Sequence, residues 1–253
     1  MTTAANRIFC AIDTTDLDHA VGMAGALAPS LGGLKVGLEF FNAHGAEGVR
    51  RIAAAGARLF LDLKFHDIPN TVAGAVRAVV TGCWPFMLNV HAAGGAAMMR
   101  AAALAAGEAA AKAGVPRPVL IAVTVLTSLD DDDLRAIGQL GPTGEQVIRL
   151  AELAQRCGLD GVVCSPHEIK RLRSVCGGGF TLVAPGIRPV GSGGDDQKRV
   201  MTPAQAVRDG ADYLVIGRPI TGAAEPVEAA RRIAVEIAAE IAAGQLAERA
   251  GGA

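Results

Sequence analysis

The chain contains eight short apolar segments, and a segment with helical patterning follows each of them. Uniformly apolar strands are typical of a parallel sheet that helices cover on both faces. Eight such strand-helix units in 253 residues predict a single-domain α/β protein with the (β/α)8 fold of a TIM barrel. The predicted strands are Ile8–Ile12, Leu34–Leu38, Arg58–Leu63, Phe86–Val90, Val119–Val123, Gly161–Cys164, Thr181–Ala184 and Tyr213–Ile216.

An open, doubly wound sheet is the alternative fold for strands and helices in this order. Its dinucleotide-binding form carries a G-x-G-x-x-G sequence after the first strand, and no such sequence follows Ile8–Ile12. No low-complexity linker divides the chain, because the alanine-rich stretch 92–113 has the composition of a helix. We therefore expect one barrel domain over residues 1–245 and a C-terminal tail over residues 246–253.

Composition and charge argue against several classes of protein. A net charge of −1 without a dense Lys/Arg block argues against a nucleic-acid-binding protein. The longest strongly apolar run, Val119–Leu126, is too short to span a bilayer, and the first residues do not resemble a signal peptide. The five cysteines contain no C-x-x-C pair, which favours small core residues in a reducing compartment over a metal site. We expect a cytoplasmic protein that does not bind membranes.

Charged residues appear where the third apolar segment should give way to a helix. Asp62 and Lys64 are separated by one residue, so their side chains should lie on the same side of the strand. Asp67 follows, and Pro69 is well suited to the first turn of the next helix. Charged side chains on an apolar strand must form ion pairs, be hydrated or take part in binding or catalysis. The sequence at this point allows either a structural ion pair or a functional site.

Other residues suited to binding or catalysis occupy equivalent positions at the ends of the remaining strands. Active sites of TIM barrels form where the strands end and the following loops begin, so these residues should share one rim. A single structural ion pair does not explain such a concentration, and we therefore favour a functional site. In addition to Asp62 and Lys64, the residues are Asp13, Lys35, Asn89, His91, Thr124, Thr127, Ser165, Arg188, Gly217 and Arg218.

The loops after the seventh and eighth strands have features of a phosphate site. TIM barrels often hold a phosphate with these two loops, which here contain Arg188, Gly217 and Arg218. Glycine allows the backbone to approach a ligand closely, and arginine can contact phosphate through two hydrogen bonds. The segment 186–203 is long and rich in glycine and charge, so we expect a lid that closes on the phosphate, with disorder as the alternative.

Five motifs in this order resemble the orotidine 5′-phosphate decarboxylases, most closely their bacterial short-chain form. In chain order, the motifs are KVG at 35–37, LDLKFHDIPNT at 61–71, PGIRP at 185–189, DDQKR at 195–199 and IGRPIT at 216–221. The resemblance implies decarboxylation of orotidine 5′-monophosphate to uridine 5′-monophosphate and CO2 in de novo pyrimidine biosynthesis. It also implies a homodimer that uses neither a metal nor an organic cofactor.

The resemblance implies catalytic roles for four charged residues. Lys64 would donate a proton to C6 of the pyrimidine, and Asp62 would lie beside the substrate carboxylate. Lys35 and Asp67 would complete a network of alternating charges with them. Asp67 would do so from the partner subunit, because the resemblance places Asp67 and Thr71 in the partner's site.

The resemblance also implies how the substrate would be bound. Asp13 and Lys35 would hold the ribose hydroxyls, and Asp62 and Thr71 would also contact the substrate. Thr127 would hold the pyrimidine edge, although the neighbouring Ser128 could serve as well. The phosphate would be bound by Arg188, Gln197, Gly217 and Arg218.

Three other functions account for parts of this pattern. A magnesium-dependent sugar-phosphate decarboxylase or aldolase shares the Asp-x-Lys-x-x-Asp motif, but it carries an acidic residue on strand 2, where this chain has Lys35. A phosphosugar isomerase of amino-acid synthesis would not need two lysines beside two aspartates. A non-catalytic phosphate sensor would keep Arg188, Gln197 and Arg218 without a reason to keep Lys64. We therefore favour the decarboxylase.

Three polar features favour structural roles. His66 should point away from the side on which Asp67 lies, and His91 at a strand end is typical of a hydrogen-bonding neighbour of a site. The acidic run Asp130–Asp133 comes where a helix is predicted to begin, and acidic residues there interact favourably with the helix dipole.

Overall fold

A computed structural model describes residues 3–189 and 201–251 of the chain. Eight parallel strands form a closed barrel in which each strand pairs with the next and β8 pairs with β1. The predicted TIM barrel is therefore confirmed, and no predicted strand boundary is displaced by more than two residues. The strands are β1 Ile8–Ile12, β2 Gly33–Gly37, β3 Leu59–Phe65, β4 Met87–His91, β5 Val119–Val123, β6 Gly161–Val163, β7 Thr181–Ala184 and β8 Tyr213–Ile216.

Helices follow the strands and surround the barrel. None of the helices in the described ranges has the length and apolar character needed to cross a membrane. The last helix runs to Gly251, so residues 246–251, which we expected to form a tail, continue it, because Leu, Ala, Glu and Arg favour helix. The helices are α1 Leu17–Leu27, α2 Leu38–Ala53, α3 Pro69–Cys83, α4 Gly95–Ala113, α5 Asp131–Ala136, α6 Thr143–Arg156, α7 Ile169–Cys176, α8 Pro203–Arg208, α9 Arg218–Thr221 and α10 Pro226–Gly251.

The buried side chains form two layers. Between the barrel and the helices the core consists mainly of Ala, Val, Leu and Ile, as expected for a chain in which only 4% of the residues are aromatic. Inside the barrel, aromatic rings contribute more than that composition suggests. Phe9 stacks on Phe86 with ring centres 5.8 Å apart and meets the edges of Phe60 and Tyr213. We call these four residues the aromatic floor; it fills the barrel on the side where the strands begin.

All five cysteines are buried and unpaired. Burial raises the pKa of Cys10 to about 12 and raises that of Cys164 well above its ordinary value. Because the thiolate is the reactive form, we expect the native protein to react very slowly with an aromatic disulfide reagent. Unfolding in guanidinium chloride should release all five thiols, counted by absorbance. Rapid reaction of any thiol in the native protein would contradict this expectation.

Candidate active site

The end of β3 departs from regular strand geometry. In the pairing of β3 with β4, Leu61 lies opposite Leu88 and Phe65 opposite Val90, so residues 62–64 face Asn89 alone. Within this bulge Lys64 has a φ of +49°, a left-handed conformation that is unusual for a residue with a side chain. The sequence correctly predicted that Asp62 and Lys64 share a side, but the bulge, rather than simple alternation, brings them together.

Four charged side chains form a row in which the sign of the charge alternates. Lys35 Nζ lies 2.9 Å from Asp13 Oδ1 and 3.7 Å from Asp62 Oδ2. Lys64 Nζ in turn donates to Asp62 Oδ1 at 2.6 Å. We call Asp13, Lys35, Asp62 and Lys64 the charge row. Three neighbouring strands position it, because Asp13 follows β1, Lys35 lies in β2, and Asp62 and Lys64 lie in β3.

The charge row is shielded from water at its centre. The Lys35 side chain is 9% exposed and that of Asp62 17%, whereas Asp13 at one end is 57% exposed. Burial alone would raise the pKa of Asp62. The positive charges of Lys35 and Lys64 and hydrogen bonds from Lys64 and Asn89 outweigh burial and lower that pKa below its ordinary value. Asp62 is therefore a carboxylate at neutral pH and can hold both ammonium groups in place.

Asn89 is a buried neighbour of the charge row. The sequence predicted that it lies at the rim but did not predict a role for it. Its side chain is completely buried on β4, and its amide nitrogen donates to Asp62 Oδ1 at 2.8 Å. Its amide oxygen accepts the backbone N–H of Lys64, also at 2.8 Å. The available signal was an amide in an otherwise apolar strand, which must find partners when it is buried.

A cavity of about 210 Å³ opens beside Asp62 and Lys64 at the end of the barrel where the strands terminate. Thr127 lines it, and the opposite wall is largely apolar. Small-molecule sites commonly combine apolar walls with a few polar groups that orient the ligand. The lining residues are Phe60, Asp62, Lys64, Val123, Val125, Leu126, Thr127, Val163, Cys164, Pro185 and Val215.

A second cavity, of about 280 Å³, lies at the other end of the charge row. Asp13 lines it together with Gly217 and Arg218, the latter being the first residue of α9. Thr14 and His19 also line it. Neither was predicted as a site residue, since Thr14 comes one residue after Asp13 and His19 lies in the first turn of α1. The two cavities thus contact opposite ends of the charge row.

Of the two remaining phosphate-site candidates, only Arg188 belongs to the described residues. Arg188 follows β7, and its backbone N–H donates to the carbonyl of Met201 at 3.0 Å. Gln197 and most of the predicted lid, residues 190–200, lie outside the described residues. Their predicted roles therefore stay predictions.

Within the described residues, neither a hydrogen bond nor an ion pair joins Asp67 or Thr71 to the charge row. Both are exposed, and the Asp67 carboxylate accepts the backbone N–H of Ile68 at 2.6 Å. Across residues 3–189 and 201–251, no cation lies within ion-pair distance of Asp67. The chain's own fold therefore joins Lys35, but not Asp67, to Asp62 and Lys64.

The two histidines near the rim stack on each other with ring centres 5.3 Å apart. Burial lowers the pKa of His91, and the charges of His66 and Lys64 lower it further. His91 accepts the backbone N–H of Ala93 at 3.3 Å, which is the hydrogen-bonding role that the sequence predicts. Asp130 likewise forms the predicted cap, since it accepts the N–H groups of Asp132 and Asp133 at the start of α5.

The described part of the chain contains no group of three or more His, Cys, Asp or Glu side chains arranged to hold a metal ion. In the charge row, the space next to Asp13 and Asp62 is occupied by the Lys35 ammonium.

A family model described as orotidine 5′-phosphate decarboxylase / HUMPS family matches residues 6–233. The chain belongs to this family. Orotidine 5′-phosphate decarboxylases are carboxy-lyases that decarboxylate orotidine 5′-monophosphate in pyrimidine biosynthesis. The match includes every candidate site residue of the sequence analysis, from Asp13 to Arg218.

Curated relatives carry the name of the decarboxylase. The orotidine 5′-phosphate decarboxylase of Rhodospirillum rubrum is 57% identical over 233 residues, which cover 92% of this chain and 94% of that protein. The one from Moorella thermoacetica is 57% identical over 235 residues, covering 92% of this chain and 93% of that protein.

Solved structures of the family share the barrel. The crystal structure of orotidine 5′-phosphate decarboxylase from Lactobacillus acidophilus is 36% identical, with a TM-score of 0.79 over 91% of this chain and 98% of that chain. The orotidine 5′-phosphate decarboxylase from Pyrococcus horikoshii is 27% identical, with a TM-score of 0.72 over 91% of this chain and 98% of its own.

Proposed function

We propose that this chain converts orotidine 5′-monophosphate to uridine 5′-monophosphate and CO2, with the charge row in place of a metal or organic cofactor. The observation that carries the proposal is the row itself, which ends in Lys64 at the wall of a cavity. Relatives named for this reaction, 57% identical over 92% of the chain, support it.

The reaction explains why such a row is needed. Loss of CO2 from C6 leaves an electron pair in the plane of the pyrimidine ring, where the π system cannot delocalise it. Without an electron-accepting cofactor, the protein must stabilise this charge with oriented charges and dipoles. An ammonium about 3 Å away at an effective dielectric near 20 contributes roughly 5 kcal/mol, which is about four decades of rate. The substrate carboxylate also interacts with that ammonium, so the net effect on the barrier is smaller.

Lys64 and Asp62 have different tasks in this scheme. When the bond from C6 to the carboxyl carbon breaks, its electron pair stays on C6 and takes a proton from Lys64 Nζ. CO2 leaves, and neutral Lys64 regains a proton from water. Asp62 orients the ammonium through the 2.6 Å hydrogen bond and faces the substrate carboxylate, whose departure removes a repulsion.

The rest of the substrate would span both cavities. The pyrimidine would lie near Thr127, and the ribose hydroxyls near Asp13 and Lys35. The phosphate would be held by Gly217 and Arg218, with Arg188 and Gln197 from the segment 186–203 closing over it. Binding energy from the phosphate, remote from C6, would then be available to lower the barrier at the reacting carbon.

Lys35 argues against the magnesium-dependent relatives. Its ammonium lies between the carboxylates of Asp13 and Asp62, where it would repel a divalent cation. The decisive test is an absorbance assay with orotidine 5′-monophosphate in the presence of EDTA. We expect the substrate spectrum to change at an undiminished rate. An unchanged spectrum would overturn the proposed function, and a rate that required added Mg²⁺ would favour a metal-dependent reaction.

We further propose that the enzyme is a homodimer in which Asp67 and Thr71 complete the partner's site. The absence of an ion pair for Asp67 in the described chain supports this arrangement, because a charge that is needed at the site would find its partners across an interface. The neighbouring Ile68 is 66% exposed, and Leu38 at the start of α2 is 52% exposed. Contact with a second copy would bury both side chains. We also propose a cytoplasmic location, which the five unpaired thiols support.

Mixing two inactive variants tests the shared site. In a heterodimer of Lys64→Ala and Asp67→Asn chains, one site carries both substitutions and the other carries neither. After joint unfolding and refolding of equal amounts, we expect about a quarter of wild-type activity, because half of the dimers are mixed and each has one intact site. Refolding each variant alone is the control. No recovery in the mixture, despite exchange of subunits, would contradict the shared site.

A further inference from the structure

The pairing of β3 with β4 leaves a structural problem that Asn89 solves. Three residues of β3, 62–64, lie opposite this single residue of β4, so the regular ladder of backbone hydrogen bonds is interrupted there. A buried backbone N–H that loses its ladder partner needs another acceptor. The Asn89 side chain provides one for Lys64, at 2.8 Å.

The same side chain also holds the carboxylate next to Lys64. Asp62 Oδ1 accepts two hydrogen bonds, from Lys64 Nζ at 2.6 Å and from Asn89 Nδ2 at 2.8 Å. One amide therefore contacts the backbone of the lysine and the side chain of the aspartate. Since Asn89 is fully buried and both of its polar ends are paired, its orientation is well defined.

The backbone conformation of Lys64 depends on contacts such as these two hydrogen bonds of Asn89. A φ of +49° is unfavourable for lysine and persists only where surrounding contacts hold it. If the two hydrogen bonds of Asn89 are removed, the backbone at Lys64 can relax toward a regular strand. The Lys64 ammonium then moves relative to Asp62 and the cavity.

We propose that Asn89 is a positioning residue that fixes the distance and orientation of Lys64 relative to Asp62 for the decarboxylation. The proposal rests on the proposed function, because Asn89 acts through these two residues and is not expected to touch the substrate.

Two substitutions separate the contacts of Asn89. Asn89→Leu keeps the branched shape and the number of side-chain heavy atoms and removes both hydrogen bonds. Asn89→Asp keeps an acceptor for the Lys64 N–H, but it loses the donor to Asp62 and places a second carboxylate beside it. Val90→Ala is the matched control, because this neighbouring residue is equally buried and its side chain has no hydrogen-bonding group.

The expected result is a loss of turnover with little loss of binding. A displacement of about 1 Å at a reacting group can cost about 100-fold in rate, so we expect kcat for orotidine 5′-monophosphate to fall about 100-fold in Asn89→Leu. The KM and the Kd of the product uridine 5′-monophosphate should stay within about threefold, because the ribose, phosphate and pyrimidine contacts are retained. Asn89→Asp should lose at least as much, since its added charge repels Asp62.

A pH profile distinguishes positioning from general destabilisation. The hydrogen bond from Asn89 helps to keep the pKa of Asp62 low. Its removal in Asn89→Leu should raise that pKa, so the acidic limb of kcat against pH should move to higher pH. Val90→Ala, even with a lower Tm, should leave the acidic limb unchanged.

The outcomes distinguish this inference from the proposed function. A folded Asn89→Leu enzyme with kcat within about threefold of wild type would overturn the positioning role while Lys64→Ala stayed inactive. An equal loss of kcat in Val90→Ala at a matched Tm would overturn it too. Wild-type enzyme without decarboxylase activity would overturn the proposed function and this inference together. If Asn89→Leu does not fold, Asn89→Asp provides the same comparisons of kcat, KM and product affinity.

Discussion

Replacing Lys64 by alanine is expected to lower kcat for orotidine 5′-monophosphate by about 10⁴-fold, because loss of the proton donor adds to loss of the ammonium's net effect on the barrier. The substitution removes both the proton donor and the positive end of the charge row. Asp62 keeps Lys35 as a partner at 3.7 Å, so the fold should survive. The measurement is substrate absorbance at high enzyme concentration, with circular dichroism to verify folding.

Lys112→Ala is the matched control for this substitution. Lys112 is an exposed residue in α4, so its replacement makes the same change in net charge away from the rim. It should leave kcat unchanged. Turnover of Lys64→Ala within about tenfold of wild type would show that another group protonates C6.

Replacing Arg218 by alanine is expected to lower kcat/KM for orotidine 5′-monophosphate by roughly 100-fold, the effect of about 3 kcal/mol from a charged contact to phosphate. The same substitution should leave the slow reaction of orotidine, which lacks the phosphate, nearly unchanged. The ratio of kcat/KM for the two substrates is therefore the quantity to measure. Arg218 suits this role because it lines the second cavity with Gly217 and Asp13.

Arg232→Ala controls for the loss of a positive charge, because Arg232 is exposed on α10. It should change neither rate. An equal loss of rate for both substrates in Arg218→Ala would mean that this residue supports the pyrimidine end of the site or the fold, and not the phosphate.

The barrel and the location of its site could be predicted because they depend on patterns that survive small errors in strand boundaries. Uniformly apolar strands separated by helices predict a buried parallel sheet even where the first residue of a strand is assigned slightly wrongly. The ends of parallel strands meet at one rim, so Lys35, Asp62 and Lys64 could be placed together without knowledge of any contact.

The details that the sequence did not predict depend on local geometry. Alternation assumes a regular pleat, and it cannot anticipate that three residues of β3 face Asn89 alone or that Lys64 adopts a positive φ. The same assumption left Asn89 without a role. The ion pair of Lys35 with Asp13 was also not foreseen, because it depends on side-chain reach between strands and not on spacing along one of them.

The aromatic floor limits how the substrate can enter the barrel and how the product can leave it. Within the described residues, Phe9, Phe60, Phe86 and Tyr213 close the barrel where its strands begin, so the cavity beside Lys64 opens toward the end where the strands terminate. The entering substrate and the departing product must then use the same opening of the cavity. Bound uridine 5′-monophosphate excludes the next substrate molecule, so inhibition by the product should be competitive. Turnover should also depend on how quickly uridine 5′-monophosphate dissociates.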